Sequence, residues 1–214
     1  MRDVYIHSLN DLAVSIAQLG DHVAYALDRT WLALSTLDNK LADEIYDGDD
    51  EIDELVRDCM RKDLTIGVME SPVGSDWRNL MSSFKILTDL ERIADHCADI
   101  SHYVQHLVTF GDPVQQPAEM KTMYDVMTSM VNDAMDCYQK GDEEQATLIK
   151  DKDDIVDTAF NDIIAHLQEK MAQDPAHIPQ YTAYILITKY IERMADHAGN
   201  IADWVIYKKS NKLK

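Results

Sequence analysis

One phrase is written twice in this chain, and it limits the possible folds more than any other feature. Residues 90–101 read LERIADHCADIS, and residues 191–202 read IERMADHAGNIA. Both copies contain Glu-Arg-x-Ala-Asp-His, in the same order and with the same spacing. Internal similarity at a long, fixed interval is typical of a chain that repeats one structural unit. The sequence therefore predicts two copies of the same unit.

The spacing of apolar residues indicates that this unit is helical. In the first forty positions such residues recur three and four apart, which is the period of one face of an α-helix. They are Leu12, Ile16, Leu19, Val23, Leu27, Trp31, Leu34 and Leu37. No segment alternates as a strand does, and the 7 glycines and 5 prolines are too few for a many-stranded sandwich. We therefore predict an all-α protein.

Six helical segments follow from breaks in the pattern. They cover 7–46, the stretch GDDEIDELVRDCMRKDL, and the ranges 77–107, 118–139, 142–171 and 181–207. Ser75 or Asp76 is expected to cap the third helix, because a polar side chain can accept a bond from a free amide there. The order of elements predicts two tandem antiparallel three-helix bundles related by internal duplication. Residues 1–109 form the first, residues 118–214 the second, and FGDPVQQP at 110–117 connects them.

Charge and cysteine content narrow the classes of function. The net charge of −19, from 39 acidic and 20 basic residues, repels nucleic acid and anionic lipid and attracts metal cations and basic partners. Three cysteines without a CxxC pair are typical of reduced thiols in a cytosolic protein. The first residues do not resemble a signal peptide. No apolar run is long enough to cross a bilayer. We expect a cytoplasmic protein that binds no nucleic acid and has no transmembrane segment.

The repeated phrase places carboxylates on one face of a helix. Glu91 and Asp95 are four residues apart, so they lie one helical turn from each other. The preceding helix contains Asp49 and Asp53 at the same spacing. If the two helices fold back about Pro72, Asp49 lies at the height of Asp95 and Asp53 at the height of Glu91. Four carboxylates are therefore predicted to converge.

The second half repeats this arrangement. Glu192 and Asp196 lie in the second copy of the phrase, and Asp153 and Asp157 lie in the helix before it. A turn between positions 174 and 175 brings Asp153 level with Asp196 and Asp157 level with Glu192. The sequence thus predicts one four-carboxylate group in each half.

A multivalent cation would relieve the repulsion within such a group. Carboxylate oxygens are hard ligands that suit Mg²⁺, Mn²⁺, Ca²⁺ or iron. Zn²⁺ is a further candidate because it also accepts carboxylate oxygens. The alternative is a set of exposed acids, each paired with a lysine or an arginine. We predict divalent or ferric metal at both groups.

Histidines near these groups are weaker candidates. His96 and His197 adjoin the acids and could be ligands, partners of ligands or ordinary surface residues. His102 and His106, four residues apart, could also hold a metal, although an exposed pair at a helix end is the simpler interpretation.

An enzyme is the less favoured interpretation. Di-iron carboxylate bundles use Glu-x-x-His, and here Ala94 and Ala195 occupy the position of that histidine. The sequence contains no phosphate-binding loop and no nucleophile motif. We predict no catalytic residues. A metal-dependent hydrolase or oxidase, and a metal scaffold or buffer, remain the alternatives.

The two phrases resemble the signature of the PhoU family, regulators of phosphate uptake. That family has a Glu-Arg-Ile-Gly-Asp-His-x-x-Asn-Ile type of phrase in each of two repeats. LGDHV is similar to its first-helix motif, GDDEIDEL and KDKDDIVD to its acidic second-helix starts, and SPVGSDWRNL to its turn. Ala94 and Ala195 replace the usual glycine, and Gly74 and Trp77 replace alanine and leucine. The resemblance extends from about residue 2 to residue 208.

The resemblance implies paired three-helix bundles with metal-binding Glu-x-x-x-Asp motifs. Glu91, Asp95, Glu192 and Asp196 occupy the motif positions. It further implies a cytosolic, non-enzymatic and often dimeric adaptor, peripheral to the membrane through its partners. Those partners would be the ATPase of a phosphate ABC transporter, a membrane sensor histidine kinase, or both. The adaptor would hold the phosphate-starvation response off, or limit uptake itself.

Overall fold

A computed structural model describes residues 2–210, with side chains from Tyr5 onward. Its six α-helices are α1 (Arg2–Thr36), α2 (Asn39–Glu70), α3 (Ser75–Thr109), α4 (Glu119–Lys140), α5 (Glu143–Gln173) and α6 (Ile178–Ser210). A short 3-10 turn, Pro175–His177, precedes α6. Residues 2–210 contain no strand. The prediction of an all-α protein of six helices is confirmed.

The helices pack as two three-helix bundles that lie side by side. Helices α1, α2 and α3 contact one another, as do α4, α5 and α6, and the most extensive interface of all joins α3 to α6. Helix α1 also packs against α4. The prediction of duplicated bundles is confirmed, and the helices that contain the repeated phrase form the seam between them.

A single apolar core runs through both bundles. Its members lie on the inward faces predicted from the helical period, such as Ile16, Val23 and Leu27 of α1. All three cysteines are buried and free. No helix within residues 2–210 has an apolar stretch long enough to cross a membrane.

The predicted first helix, 7–46, is wrong at its C-terminal end. Helix α1 ends at Thr36, and Leu37 adopts a left-handed conformation with φ of 52°. The backbone amide of Asp38 donates to the Ala33 carbonyl at 3.0 Å, and its side chain accepts from the Leu41 amide at 3.1 Å. The apolar period continues through this break, and no glycine or proline marks it. The pattern therefore concealed the turn.

Three other predicted helix ends are also wrong. Helix α2 begins at Asn39, so GDDEIDEL lies inside it, whereas the predicted fifth helix, 142–171, agrees with α5, which contains KDKDDIVD. The N-cap of α3 is Gly74, without a side-chain bond, whereas Ser75 and Asp76 already belong to the helix. Helix α6 begins at Ile178, inside the predicted loop.

The segment between the bundles is held by one buried side chain. The Gln180 amide nitrogen donates to the carbonyls of Leu107 at 3.3 Å and Asp112 at 3.1 Å. The Gln180 amide oxygen accepts from the Val114 amide at 3.1 Å. Since Gln180 belongs to α6, the connecting segment is fixed to the second bundle.

Candidate metal centres

The α2–α3 hairpin brings together the four carboxylates predicted for the first half. Asp49, Asp53, Glu91 and Asp95 are called the first carboxylate cluster here. Helix α2 ends at Glu70 and α3 begins at Ser75, so the hairpin reverses next to Pro72. Among charged groups, Asp95 has the largest effect on the pKa of Asp49, and both Asp95 and Asp53 raise the pKa of Glu91. The antiparallel register therefore makes the four side chains electrostatic neighbours.

The first carboxylate cluster is destabilised by its own charge. Burial, together with the charges of Asp95 and Asp53, raises the pKa of Asp49 to about 6. Burial and the same two neighbours raise the pKa of Glu91. The Oδ1 atom of Asp49 is buried and has no hydrogen-bond partner within residues 2–210. A buried oxygen without a partner is costly and is suited to a ligand.

Arginines neutralise only part of this cluster. Arg92 contacts Asp95 at 2.8 Å, and Arg57 contacts Asp53 at 3.9 Å. Asp95 and Asp53 therefore form the ordinary surface ion pairs that were the alternative to metal binding. Asp49 and Glu91, in contrast, have no ion pair within 4.0 Å among the described residues.

The α5–α6 hairpin forms a second carboxylate cluster, which comprises Asp153, Asp157, Glu192 and Asp196. Burial raises the pKa of Asp153, of Glu192 and of Asp196, and the neighbouring acids add to each shift. Asp196 is the leading charged neighbour of both Asp153 and Glu192, and Asp157 is that of Asp196.

The lysines beside the second carboxylate cluster pair with other acids. Lys150 binds Asp203 at 2.8 Å, and Lys152 binds Asp133 at 2.6 Å. None of the four clustered acids has an ion pair within 4.0 Å in the described part of the chain. The alternative of acids individually paired with bases therefore describes this cluster poorly.

The described residues contain no group of three potential ligands already arranged around one point, as ligands are around a bound ion. Histidine, cysteine, aspartate and glutamate count as potential ligands here. The clusters supply oxygen donors on two adjacent helices, half-buried except at the exposed Asp157 and Asp196, with mutual repulsion that a cation would relieve. The residues fit a hard metal ion in chemistry and charge. Metal binding by these eight acids stays a prediction.

The histidines of the phrase lie on a different side of their helices. His197 Nδ1 lies 2.8 Å from Asp89 Oδ1, across the seam between α6 and α3. His96 Nδ1 lies 3.1 Å from Asp99 Oδ2 on its own helix. The two imidazole centroids are 5.8 Å apart. The phrase thus directs its acids toward α2 or α5 and its histidines into the seam between the bundles.

Sequence reasoning missed Asp89. It is buried, and it receives His197 and, at 3.4 Å, the amide of Asn200. Tyr190 occupies the equivalent place in the second repeat, and its ring centroid lies 5.1 Å from that of His96. Asp89 and Tyr190 immediately precede the two copies of the phrase, so an alignment of the repeats shows an acid in one copy and an aromatic residue in the other.

Comparison with known proteins identifies relatives along nearly the whole chain. The PhoU domain profile matches residues 16–104 and 120–205. A phosphate-specific transport system accessory protein PhoU homolog of Clostridium acetobutylicum is 29% identical over 209 residues, which are 96% of this chain and 94% of that protein.

Two solved structures have the same fold. PhoU from Pseudomonas aeruginosa matches with a TM-score of 0.93 and 26% identity, over 97% of this chain and all of that one. The phosphate transport system regulatory protein PhoU from Streptococcus pneumoniae matches with a TM-score of 0.91 and 25% identity, over 98% and 99% of the two chains. The duplicated phrase, the paired bundles and both profile matches lead to one conclusion: this chain belongs to the PhoU family.

Proposed function

We propose that this protein is a metal-binding regulator of phosphate uptake that works as an adaptor and not as an enzyme. The metal-binding part of the proposal rests on the duplicated carboxylate cluster, whose acids raise one another's pKa and are only partly neutralised by bases. The regulatory part is supported by the relatives, which are described as accessory or regulatory proteins of phosphate transport.

In this proposal each cluster holds metal through carboxylate oxygens. Asp49, Asp53, Glu91 and Asp95 serve the first bundle. Their counterparts are Asp153, Asp157, Glu192 and Asp196 of the second. Oxygen donors favour Mg²⁺, Mn²⁺ or iron, and Zn²⁺ is accepted as well. The cation supplies positive charge that removes the repulsion within the cluster, so it stabilises each hairpin.

The proposed partners are the ATPase of the phosphate ABC transporter and the membrane sensor histidine kinase. A net charge of −19 suits docking on basic protein surfaces, because opposite charges speed and orient association. The protein would act in the cytoplasm, peripheral to the membrane through these partners, and as a homodimer.

The competing functions make different demands. A metal-dependent hydrolase or oxidase needs an open metal position with a general base beside it. A scaffold or metal buffer would bind the metal with no effect on phosphate transport. Binding to the transporter ATPase or to the kinase, altered by metal, distinguishes the adaptor from both.

The first test is the metal content of the purified protein, measured by elemental mass spectrometry after reloading and desalting. Glu91→Ala/Asp95→Ala should empty the first cluster and leave the second largely occupied, and Glu192→Ala/Asp196→Ala should do the reverse. Asp49→Ala should weaken the same site as Asp95→Ala, because the hairpin register pairs them.

A matched control is available on α2. Asp47 and Glu51 are also four residues apart, but both are exposed on the surface. Asp47→Ala/Glu51→Ala should leave the metal content unchanged. Metal loss in this control equal to that in the cluster variants would reduce the clusters to general surface charge.

The second test is binding to the purified transporter ATPase and to the cytoplasmic part of the kinase, by biolayer interferometry with and without chelator. We expect binding that depends on metal and is weaker in the double variants. A protein that holds metal at both clusters but binds neither partner would favour the scaffold or buffer.

A further inference from the structure

Two histidines near the C-terminal end of α3 form a close pair. His102 is exposed and His106 is half-buried, and their ring centroids are 4.6 Å apart with a tilt of 54°. They are one helical turn apart on the same face, because they are separated by four residues. Neither imidazole makes a hydrogen bond or an ion pair with another described residue, so their nitrogens are available.

The distance between the rings is that of two imidazoles on one ion. With metal–nitrogen bonds of about 2.0 Å, the centroids of two bound imidazoles lie about 4.5 Å apart at the right angle of square-planar Cu²⁺ or Ni²⁺ and about 5 Å apart at the tetrahedral angle of Zn²⁺. The observed 4.6 Å lies in this range. Side-chain rotation without any change of the backbone can therefore bring one nitrogen of each ring to a shared cation.

Aromatic side chains border the two histidines. The Tyr46 ring lies 6.2 Å from that of His102, across the α2–α3 interface. Tyr103 lies 5.5 Å from His102 and 5.7 Å from His106, and Phe110 lies 5.9 Å from His106. Contacts of this kind reduce the conformational freedom that a side chain loses when it binds a ligand.

The charges around the pair favour a cation. Asp99 lies three residues before His102 on α3, so it is one turn away on the same face. Asp43 of α2 reaches the same end of the hairpin, where it accepts from Gln105 at 2.6 Å. No lysine or arginine lies between Tyr103 and Thr109 on α3. Lys40, a base near this end of α2, is itself 3.9 Å from Glu44.

We propose that His102 and His106 form a binding site for a nitrogen-preferring transition metal of the Zn²⁺ class, separate from the carboxylate clusters. Neutral imidazole suits Zn²⁺, Cu²⁺ and Ni²⁺, whereas carboxylate oxygens suit Mg²⁺ and Mn²⁺. The pair supplies two ligands, and water completes the coordination. The protein thus has sites of two chemical kinds, and this one does not depend on the proposed role in phosphate uptake.

Electron paramagnetic resonance with one equivalent of Cu²⁺ tests the ligands directly. We expect hyperfine structure from two equatorial nitrogens in the wild type, and its loss in His102→Ala/His106→Ala. The matched control is His22→Ala/His166→Ala, which removes two exposed histidines on α1 and α5. Its spectrum should remain that of the wild type. Glu91→Ala/Asp95→Ala should also keep the nitrogen signal.

Calorimetric titration with Zn²⁺ provides the second readout. Each single variant, His102→Ala or His106→Ala, should weaken one binding event by about tenfold or more, since loss of a ligand exceeds the effect of losing an outer partner. His102 is exposed and His106 only half-buried, so circular dichroism should show an unchanged helix content. A nitrogen signal and a Zn²⁺ affinity that survive in the double variant would overturn the proposal.

Discussion

At the scale of single residues, Asp63 is an acid that the fold buries without a counter-charge among the described residues. It belongs to α2, is only 4% exposed, and its Oδ1 has no hydrogen-bond partner in the described structure. Burial raises its pKa to about 7. It lies close enough to raise the pKa of the buried Tyr138 hydroxyl of the other bundle. Ten positions along α2 separate it from Asp53, so it is independent of the carboxylate clusters.

This burial makes stability depend on pH in a defined direction. The pKa of Asp63 is higher in the folded than in the unfolded chain, so its contribution to stability is greatest at low pH and is lost as pH rises to about 7. The Asp63→Asn variant does not lose stability in this way, because an asparagine amide does not ionise. The free energy of unfolding of the variant should therefore improve relative to wild type by about 2 kcal/mol between pH 5.5 and 8.5.

Urea unfolding across this pH range measures the difference. Asp162→Asn is the control, because Asp162 is exposed on α5. Its curve should run parallel to that of the wild type. Parallel curves for Asp63→Asn as well would mean that Asp63 is solvated in the folded protein.

At the scale of the helices, the sequence predicted well which face of each helix is buried, but it predicted poorly where the helices begin and end. The apolar period identified buried positions such as Ile16 and Val23, and the hairpin register brought Asp49 to Asp95, because both depend on regular helical geometry. The end of α1 depends on Leu37 in a left-handed conformation, which no residue type signalled. The direction of His197 toward Asp89 depends on how the two bundles pack, and local spacing does not contain that information.

A substitution at the C-terminal end of α2 is expected to stabilise the protein. Ser71 has φ of 45° and is exposed, and its amide donates to the Gly67 carbonyl at 3.2 Å. A left-handed conformation costs roughly 1–2 kcal/mol for an L-residue, and glycine avoids this cost at an entropic penalty of about 0.5–1 kcal/mol. Ser71→Gly should therefore raise the free energy of unfolding by about 0.5–1 kcal/mol.

Leu37→Gly is the informative comparison in urea unfolding. Leu37 shares the left-handed conformation, with φ of 52°, but its side chain packs against the core. Loss of that packing should cancel or exceed the conformational gain. If both substitutions destabilise the protein equally, the conformational argument at Ser71 is wrong.

At the scale of the whole molecule, the two bundles share their interior. The Tyr124 hydroxyl of α4 donates to the Leu27 carbonyl of α1 at 2.7 Å, and both groups are buried. Gly20 of α1 lies so close to α4 that an added Cβ would come within 2.6 Å of Met135 Cε. Together with the α3–α6 seam, these contacts leave neither bundle a complete core of its own. We expect the bundles to unfold together.

Tryptophans in each half can report this cooperativity separately. Trp31 belongs to α1 and packs against Tyr124, with ring centroids 5.0 Å apart, whereas Trp204 belongs to α6. Replacing the other tryptophans with phenylalanine gives one reporter per bundle. Both fluorescence signals should change at the same urea concentration, because a shared core gives a single transition.

Tyr124→Phe then tests whether contacts between α1 and α4 make the two bundles unfold together. Loss of one buried hydrogen bond should cost about 1 kcal/mol and move both transitions together. Two separate unfolding midpoints would mean that each bundle folds as its own unit. A shift in the midpoint of the Trp31 transition alone would mean the same. If the transitions coincide, metal bound at either carboxylate cluster stabilises the entire protein, because a ligand of the folded state acts on the whole cooperative unit.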